Sequence, residues 1–409
     1  MKILMVNKFH YLKGGSEKYY FELAELLKEK GHTVAFFSMD NEKNIHTNYK
    51  EYFVKPIDLN NGSKLQALDV IYSKENMKIM EEALEDFKPD IVHLNNFQRQ
   101  LSASIIEPII KKHIPIVFTA HDVQAICPAI VMLDSEKNIC EKCIGGKYSN
   151  CIKNNCVKNS KLKSLLGAIE GKYYRNKKIY TKKIDYIITP SEFYRSKFIE
   201  DGINENKIEA IHNFIDINNY NLETKNNDYA LYIGRLSKEK GILNLIKAFS
   251  EIKNKKLYIA GDGPEKEKIN QIIKEEKLEE NIIMLGYLKQ EEVKEYIKNA
   301  SFIVVPSIWY ENCPYSVLET QAIGKAVIGA NIAGIPELVK DKENGLIYKY
   351  DDISELKEKM QQLFENKELA NEYGKKAKEY AKKNYDKEEY YKKITTIYDK
   401  VIKEKQNKK

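Results

Sequence analysis

Short apolar runs alternate with helix-period segments along almost the whole chain, and this alternation restricts the fold more than any other feature. In the first half Ile3–Val6, Val34–Ser38, Ile91–Leu94, Ile116–Thr119 and Tyr186–Thr189 are short and rich in β-branched and aromatic residues. In the second half Tyr229–Ile233, Leu257–Ala260, Ile282–Leu285, Phe302–Val305 and Ala326–Ile328 read the same way. Runs this short and this apolar predict strands covered on both faces, and the segments between them, such as Glu17–Lys30 and Ile242–Phe249, supply the covering helices. The expected fold class is α/β, with parallel sheets doubly wound by helices.

A chain of 409 residues is too long for one core. The alternation restarts after the polar stretch Asn218–Asp228, which reads as a linker. The predicted organisation is a first domain over 1–217 with a Cys-rich insertion at 127–156, a second domain over 218–385, and a terminal helix over 386–409. That helix repeats Tyr390, Ile394, Ile397, Tyr398 and Val401 at a spacing that buries one face. The two Rossmann-like domains are expected to face each other across a cleft. The net charge of +7, from 67 basic and 60 acidic residues, is too small for a nucleic-acid binder of this length. No apolar run approaches the roughly 20 residues of a membrane span. Ile3–Val6 ends at Asn7-Lys8, too soon for a signal-peptide core, so a cytoplasmic location is expected.

The densest chemistry lies in Pro306-Ser307-Ile308-Trp309-Tyr310-Glu311-Asn312-Cys313-Pro314-Tyr315-Ser316-Val317-Leu318-Glu319. Two carboxylates, Glu311 and Glu319, are separated by seven residues just after a buried-strand pattern. The turn at Asn312-Cys313-Pro314 places Glu311 at the strand's carboxyl end and Glu319 about one turn into the next helix. That is where open α/β sheets bind ligands, and carboxylates beside free helix N–H groups suit a ligand with both hydroxyls and phosphates. A sugar nucleotide is such a ligand.

Further motifs occur in order: Gly14-Gly15-Ser16-Glu17, His121-Asp122, Pro190-Ser191-Glu192, His212-Asn213-Phe214-Ile215-Asp216, Gly234-Arg235-Leu236-Ser237-Lys238-Glu239-Lys240-Gly241 and Gly261-Asp262-Gly263-Pro264-Glu265. With the Glu311–Glu319 segment, the ordered set resembles family 4 glycosyltransferases, the retaining, nucleotide-sugar-dependent enzymes of the GT-B fold. The resemblance runs nearly the length of the chain. It implies that Arg235 and Lys240 neutralise the diphosphate leaving group and that Glu319 holds the ribose hydroxyls. It also implies that Glu311, with N–H groups around Asn312 and Cys313, holds a hydroxyl of the transferred sugar. Gly14, Gly15, Gly234 and Gly263 would let backbone approach the donor, Leu288 would border the nucleobase, and His121 would sit near the transferred sugar. Catalytic roles are thus expected for His121, Arg235, Lys240 and Glu311. Position 16 is Ser where the family often has Ala. No catalytic cofactor is implied, the donor nucleotide is left open among UDP, GDP and ADP, and the terminal helix would pack back on the first domain. The implied product is a cell-surface polysaccharide or glycolipid, built on a saccharide or lipid-linked saccharide acceptor.

Two features fall outside that pattern. Cys140, Cys143, Cys151 and Cys156 read C-x2-C-x7-C-x4-C, and in a reducing compartment a structural tetrathiolate zinc is the alternative to disulfides. Cys127, followed by Pro128, is expected to pack rather than to bind metal. Residues 157–183 carry nine basic residues and one acid, Glu170, interleaved with Leu162, Leu165, Leu166, Ile169 and Tyr173. Such a stripe either faces a core or lies on an anionic membrane surface, and the expected contact is peripheral, at the inner face of the cell membrane. The competing functional readings are a sugar-nucleotide epimerase or hydrolase of the same fold, a non-catalytic sugar-nucleotide sensor, and a zinc-stabilised binding protein.

Overall fold

The structure is a computed structural model that describes residues 1–57 and 66–407. Each apolar run read as a strand forms one, and the strands assemble into two all-parallel sheets. The first contains β1 (Lys2–Val6), β2 (Thr33–Met39), β3 (Lys50–Val54), β4 (Ile91–Leu94), β5 (Ile116–Thr119), β6 (Tyr186–Thr189) and β7 (Ile208–Ala210), in the order β3-β2-β1-β4-β5-β6-β7. The second contains β8 (Tyr229–Ile233), β9 (Lys256–Ala260), β10 (Ile282–Gly286), β11 (Phe302–Val305), β12 (Ala326–Ala330) and β13 (Gly345–Tyr348), in the order β10-β9-β8-β11-β12-β13. Central strands such as β4, β5 and β11 are buried at every residue, as continuous apolar runs require. The expected α/β class is therefore found, and both sheets are of the doubly wound, Rossmann-like kind.

The strand order reverses beside the first strand of each sheet, at β1/β4 and at β8/β11. Loops leaving neighbouring strands there run to opposite faces and open a crevice at the carboxyl edge. Three strands escaped the sequence reading: β3, β7 and β13. All three are sheet edges. An edge strand has one neighbour and less cover, so it needs no unbroken apolar run; Lys50–Val54 is only half-buried and Ile208–Ala210 has three residues.

The chain divides into two compact units, Met1–Ile211 with Tyr390–Lys409, and His212–Glu389. The stretch expected as a linker, Asn218–Asp228, instead belongs to the second unit, where Lys225 and Asn227 N–H groups bond the carbonyls of Lys298 and Asn299. The changeover comes earlier, at His212, because His212 bonds Glu337 (3.1 Å) and Asn213 bonds the Cys313 carbonyl (3.2 Å). Residues 408 and 409, the end of the expected terminal helix, lie outside the described residues.

From Tyr390 onward the last helix, Lys387–Gln406, packs on the first unit. Its apolar stripe is buried, and buried hydroxyls fix its register. Tyr390 and Tyr19 hydroxyls bond each other, Tyr19 bonds Thr119 (3.2 Å), Thr119 bonds His93 Nε2 (2.8 Å), and His93 Nδ1 bonds Tyr398. A buried polar group left without its partner costs about 1–3 kcal/mol. Tyr398→Phe strips His93 Nδ1 of its partner and should lower stability by about that amount, read as a lower urea midpoint; an unchanged midpoint would show that the network does not hold the helix.

Candidate active site

In the second unit the crevice at β8/β11 is lined by the loops that follow those strands. Lys240 ends a short turn, Lys238–Lys240, after β8, and Glu311 lies in the loop after β11. Lys240 Nζ donates to Glu311 Oε1 at 2.6 Å, Ser307 Oγ donates to the same oxygen at 2.7 Å, and Trp309 Nε1 at 2.8 Å. The lysine also lies 5.1 Å from the centre of the Trp309 ring. Glu311 is 5 % exposed. Burial opposes its ionisation, yet the Lys240 charge and the bonds from Lys240, Ser307 and Trp309 together hold its pKa below the usual carboxylate value.

Backbone ties lock these loops. The Ile308 N–H bonds the Glu239 carbonyl, the Leu236 N–H bonds the Asp262 carbonyl, and the Gly334 N–H bonds the Glu311 carbonyl. Close packing forces glycine at two points. Gly241 has φ +69°, and a Cβ there would lie 1.8 Å from the Pro306 carbonyl oxygen. Gly261 has φ +147°, and its Cβ would lie 1.9 Å from the Gly234 carbonyl oxygen. No side chain fits either gap. Gly263 is also too close for a side chain, with a Cβ 2.4 Å from the Leu236 carbonyl oxygen, so it too lets two loops meet.

Glu319 sits in the helix Tyr315–Ile323, 9 % exposed, with Oε1 accepting a bond from the Tyr220 hydroxyl (3.1 Å). Gln290 donates to the same hydroxyl (3.3 Å). Asn312 is half-buried and Cys313 buried at the foot of that helix. Arg235, expected beside Lys240, is exposed to solvent. Leu288 is half-buried beyond the end of β10, at the sheet edge and two strands from β8. The fold thus gathers Lys240, Glu311 and their neighbouring loops tightly, leaves Arg235 exposed, and sets Leu288 farthest out.

In the first unit the corresponding edge is also polar. Asn7 follows β1, Asn95 and Asn96 follow β4, and His121 follows β5. The Asn96 N–H bonds Asn7 Oδ1 (3.1 Å). Asn95 Nδ2 is committed to the Val6 carbonyl (3.3 Å), so its oxygen faces His121 Nε2 at 2.9 Å, and that nitrogen carries the proton. The His121 ring packs against the Tyr19 ring, centroids 4.7 Å apart. Burial lowers the His121 pKa to about 3, so the imidazole is neutral near neutral pH. It can exchange hydrogen bonds with a hydroxyl but offers no positive charge to a phosphate. Gly14 and Gly15 are exposed at the start of the helix Gly15–Glu29, while Glu17 behind them is buried against Ser16 and Asn7.

Ser307, Trp309, Tyr220 and Asn95 hold the expected site residues in place and were given no role from sequence. Asn95 carried a signal, since it directly follows a buried strand just as His121 does. Tyr220 carried none, because it meets a partner 99 positions away.

The cysteine expectation is not met. Among the described residues no group of three or more His, Cys, Asp or Glu side chains is disposed to hold a metal ion. Cys143 and Cys151 are instead buried in an apolar cluster with Tyr148, Val157 and Ala168, and Cys156 packs on its edge. Burial pushes the Cys143 and Cys151 thiols up to about 12. Apolar packing orders this insertion. All six cysteines are free thiols.

Two outcomes test this geometry. Lys240→Met leaves Glu311 buried without its cation and should cost about 3 kcal/mol in urea unfolding, the low end for a buried pair stripped of one partner; a loss below about 1 kcal/mol would mean the pair is solvent-screened. For the histidines, burial lowers both His93 and His121 from 6.5 to about 3, and His10 and His32 shift the same way. The unfolded chain therefore protonates first, so stability is complete above pH 6.5 and falls as pH drops toward the folded values. Urea midpoints should decline from pH 6.5 to about pH 5, with His93 alone contributing roughly 1.4 kcal/mol per pH unit; a flat profile would contradict the burial.

Comparison with known proteins bears on this geometry. Residues 13–219 match the model of Glycosyltransferase Family 4, and residues 214–380 match that of Glycosyl transferases group 1. The chain is 24% identical over 404 residues to the N-acetyl-alpha-D-glucosaminyl L-malate synthase of Bacillus anthracis, covering 97% of this chain and 96% of that protein. It is 28% identical over 266 residues to the alpha-monoglucosyldiacylglycerol synthase of Acholeplasma laidlawii, covering 60% of this chain and 64% of that one. Among solved structures, Anabaena HepE in complex with UDP superposes with a TM-score of 0.71 at 17% identity, covering 98% of this chain and 100% of that one. The fold is therefore the GT-B fold, and the chain belongs to glycosyltransferase family 4.

Proposed function

We propose that this glycosyltransferase moves a sugar, with retention of anomeric configuration, from a nucleoside-diphosphate sugar to an acceptor hydroxyl. The acceptor is a saccharide or lipid-linked saccharide, in the synthesis of a cell-surface polysaccharide or glycolipid at the inner face of the cell membrane. The observation that carries the reading is the strand–turn–helix of the second unit, which sets Glu311 against Lys240 and holds Glu319 one turn further on.

Chemically, breaking the glycosidic bond leaves negative charge on the diphosphate. Lys240 lies at the switch point where that charge develops, and the exposed Arg235 can close on it. Glu311 Oε1 is saturated by its three donors, so Oε2 is the atom offered to a sugar hydroxyl. Glu319, oriented by Tyr220, accepts from the ribose hydroxyls. Asn312 and Cys313 backbone N–H groups border the sugar, and Gly14 and Gly15 keep the first loop open to the phosphates. Neutral His121 hydrogen-bonds a hydroxyl of the transferred sugar. The acceptor oxygen bonds to the anomeric carbon on the face the diphosphate leaves, and the departing phosphate oxygen takes the acceptor's proton. Positioning and charge stabilisation then supply most of the rate. The neighbour solved with UDP supports a uridine diphosphate donor, and the relative named for a glucosyl lipid supports a lipid-linked acceptor.

A thermal-shift screen against UDP-, GDP-, ADP- and CDP-sugars should return one donor that raises Tm, with Arg235→Ala abolishing the shift. Glu319→Ala should raise the Kd for that donor at least about tenfold, the cost of about 1.4 kcal/mol from one lost carboxylate contact. Proton NMR of the first product should show the donor's anomeric configuration. No binding by any sugar nucleotide would overturn the donor site, an inverted product would overturn retention, and donor conversion without transfer would favour the epimerase or hydrolase reading.

A further inference from the structure

The helix Lys161–Asn176 turns its large aliphatic side chains outward. Its buried residues are Ser164, Gly167, Ala168, Glu170 and Tyr174, whereas Leu162, Leu165 and Ile169 are 76%, 41% and 47% exposed. At 3.6 residues per turn these three lie in one stripe with the half-buried Leu166 and Tyr173, opposite Ser164, Gly167 and Gly171. The orientation is fixed from inside. A Cβ on Gly167 would lie 3.2 Å from Pro128, and one on Gly171 would lie 3.1 Å from the Tyr148 ring, so only the glycine face can come this close. On the same inner side Glu170 bonds Arg99 (3.4 Å), and the Tyr174 ring stacks on Tyr180 (5.9 Å). Rotating the helix to hide its leucines would break all of these contacts.

The exposed charges that the helix itself sets beside the stripe have one sign, and Glu107 of a neighbouring helix lies near Tyr173 at one end. Lys161 and Lys172 flank one side, Lys163 and Lys177 the other, and exposed Lys178 and Lys182 follow. The helix's single acid, Glu170, points inward, and Arg175 is held by Asp201 (3.0 Å). Leaving three aliphatic side chains in water is unfavourable, and a fixed outward stripe with lysines along both edges matches a surface that is apolar beneath an anionic layer.

We propose that the outward face of Lys161–Asn176 docks the protein on an anionic lipid bilayer. Leu162, Leu165 and Ile169 enter the boundary between headgroups and acyl chains, and Lys161, Lys163, Lys172 and Lys177 meet the lipid phosphates. A second copy of the chain fits less well, because a two-fold contact would set these lysines against their own counterparts. The choice of leaflet rests on the proposed transfer at the inner membrane face; the docking itself requires no substrate.

Sedimentation with vesicles of equal parts phosphatidylglycerol and phosphatidylcholine tests the proposal with the whole chain. The wild-type protein should pellet with these vesicles and stay in solution with phosphatidylcholine alone. The combined Leu162→Ser, Leu165→Ser and Ile169→Ser variant should bind at least about tenfold more weakly while keeping its Tm, since these side chains are exposed. Lys161→Gln with Lys172→Gln should weaken binding too, and high salt should weaken the wild type. Equal pelleting of wild type and the triple serine variant would overturn the proposal, as would no pelleting with anionic vesicles, or a self-association in solution that the serine variant abolishes. The serine variant's sugar-nucleotide thermal shift should match the wild type's, so a failed donor site and a failed docking face give separate results.

Discussion

One carboxylate oxygen organises the candidate donor site. Glu311 Oε1 accepts from a lysine, a serine and an indole at 2.6 to 2.8 Å, at the point where the strand order of the second sheet reverses. A buried carboxylate survives ionised only when its partners repay the loss of water, and here they come from two loops that follow different strands. The loops must therefore meet, and Gly241, packed against the Pro306 carbonyl, is the residue that lets them. On the proposed reading the pair also aims Lys240, so little reorganisation is needed when a diphosphate brings negative charge.

The first unit solves a different problem. His121 is uncharged, its tautomer is set by Asn95, and its ring rests on Tyr19. Tyr19 in turn belongs to the buried hydroxyl network that pins the terminal helix through Tyr390 and, by way of Thr119 and His93, Tyr398. Packing the end of the chain onto this unit thus helps fix His121. The helix Lys161–Asn176 divides its labour by face, with Glu170 and Tyr174 completing the interior and the leucines left outside.

Much of this was legible in the sequence because continuous apolar runs can only be strands covered on both sides. The central strands were found for that reason; the edge strands β3 and β7 were missed because their environment does not demand such runs, and β13 was missed although it is buried. Glu311, Lys240 and His121 were singled out because they stand near strand ends, where chemistry-bearing residues have a position to act from. Their supports were harder to see. Tyr220 reaches Glu319, and Tyr398 reaches His93, across distances in sequence that no local pattern records. The cysteine spacing fixes which thiols are close in sequence; in the structure Cys143 and Cys151 lie in apolar packing around Tyr148, and the described residues include no group disposed to hold a metal ion. The stripe on Lys161–Asn176 was correctly seen as apolar, but periodicity alone could not say which face the glycines would turn inward.

The central claim is that the switch point of the second sheet holds the donor's diphosphate against Lys240. A crystal structure of the protein with UDP tests it most directly. The account predicts a phosphate oxygen within hydrogen-bonding distance of Lys240 Nζ, the ribose hydroxyls on Glu319, and Glu311 still bonded to Ser307 and Trp309. A nucleotide bound elsewhere, or one that leaves Lys240 bonded to Glu311 alone, would contradict it.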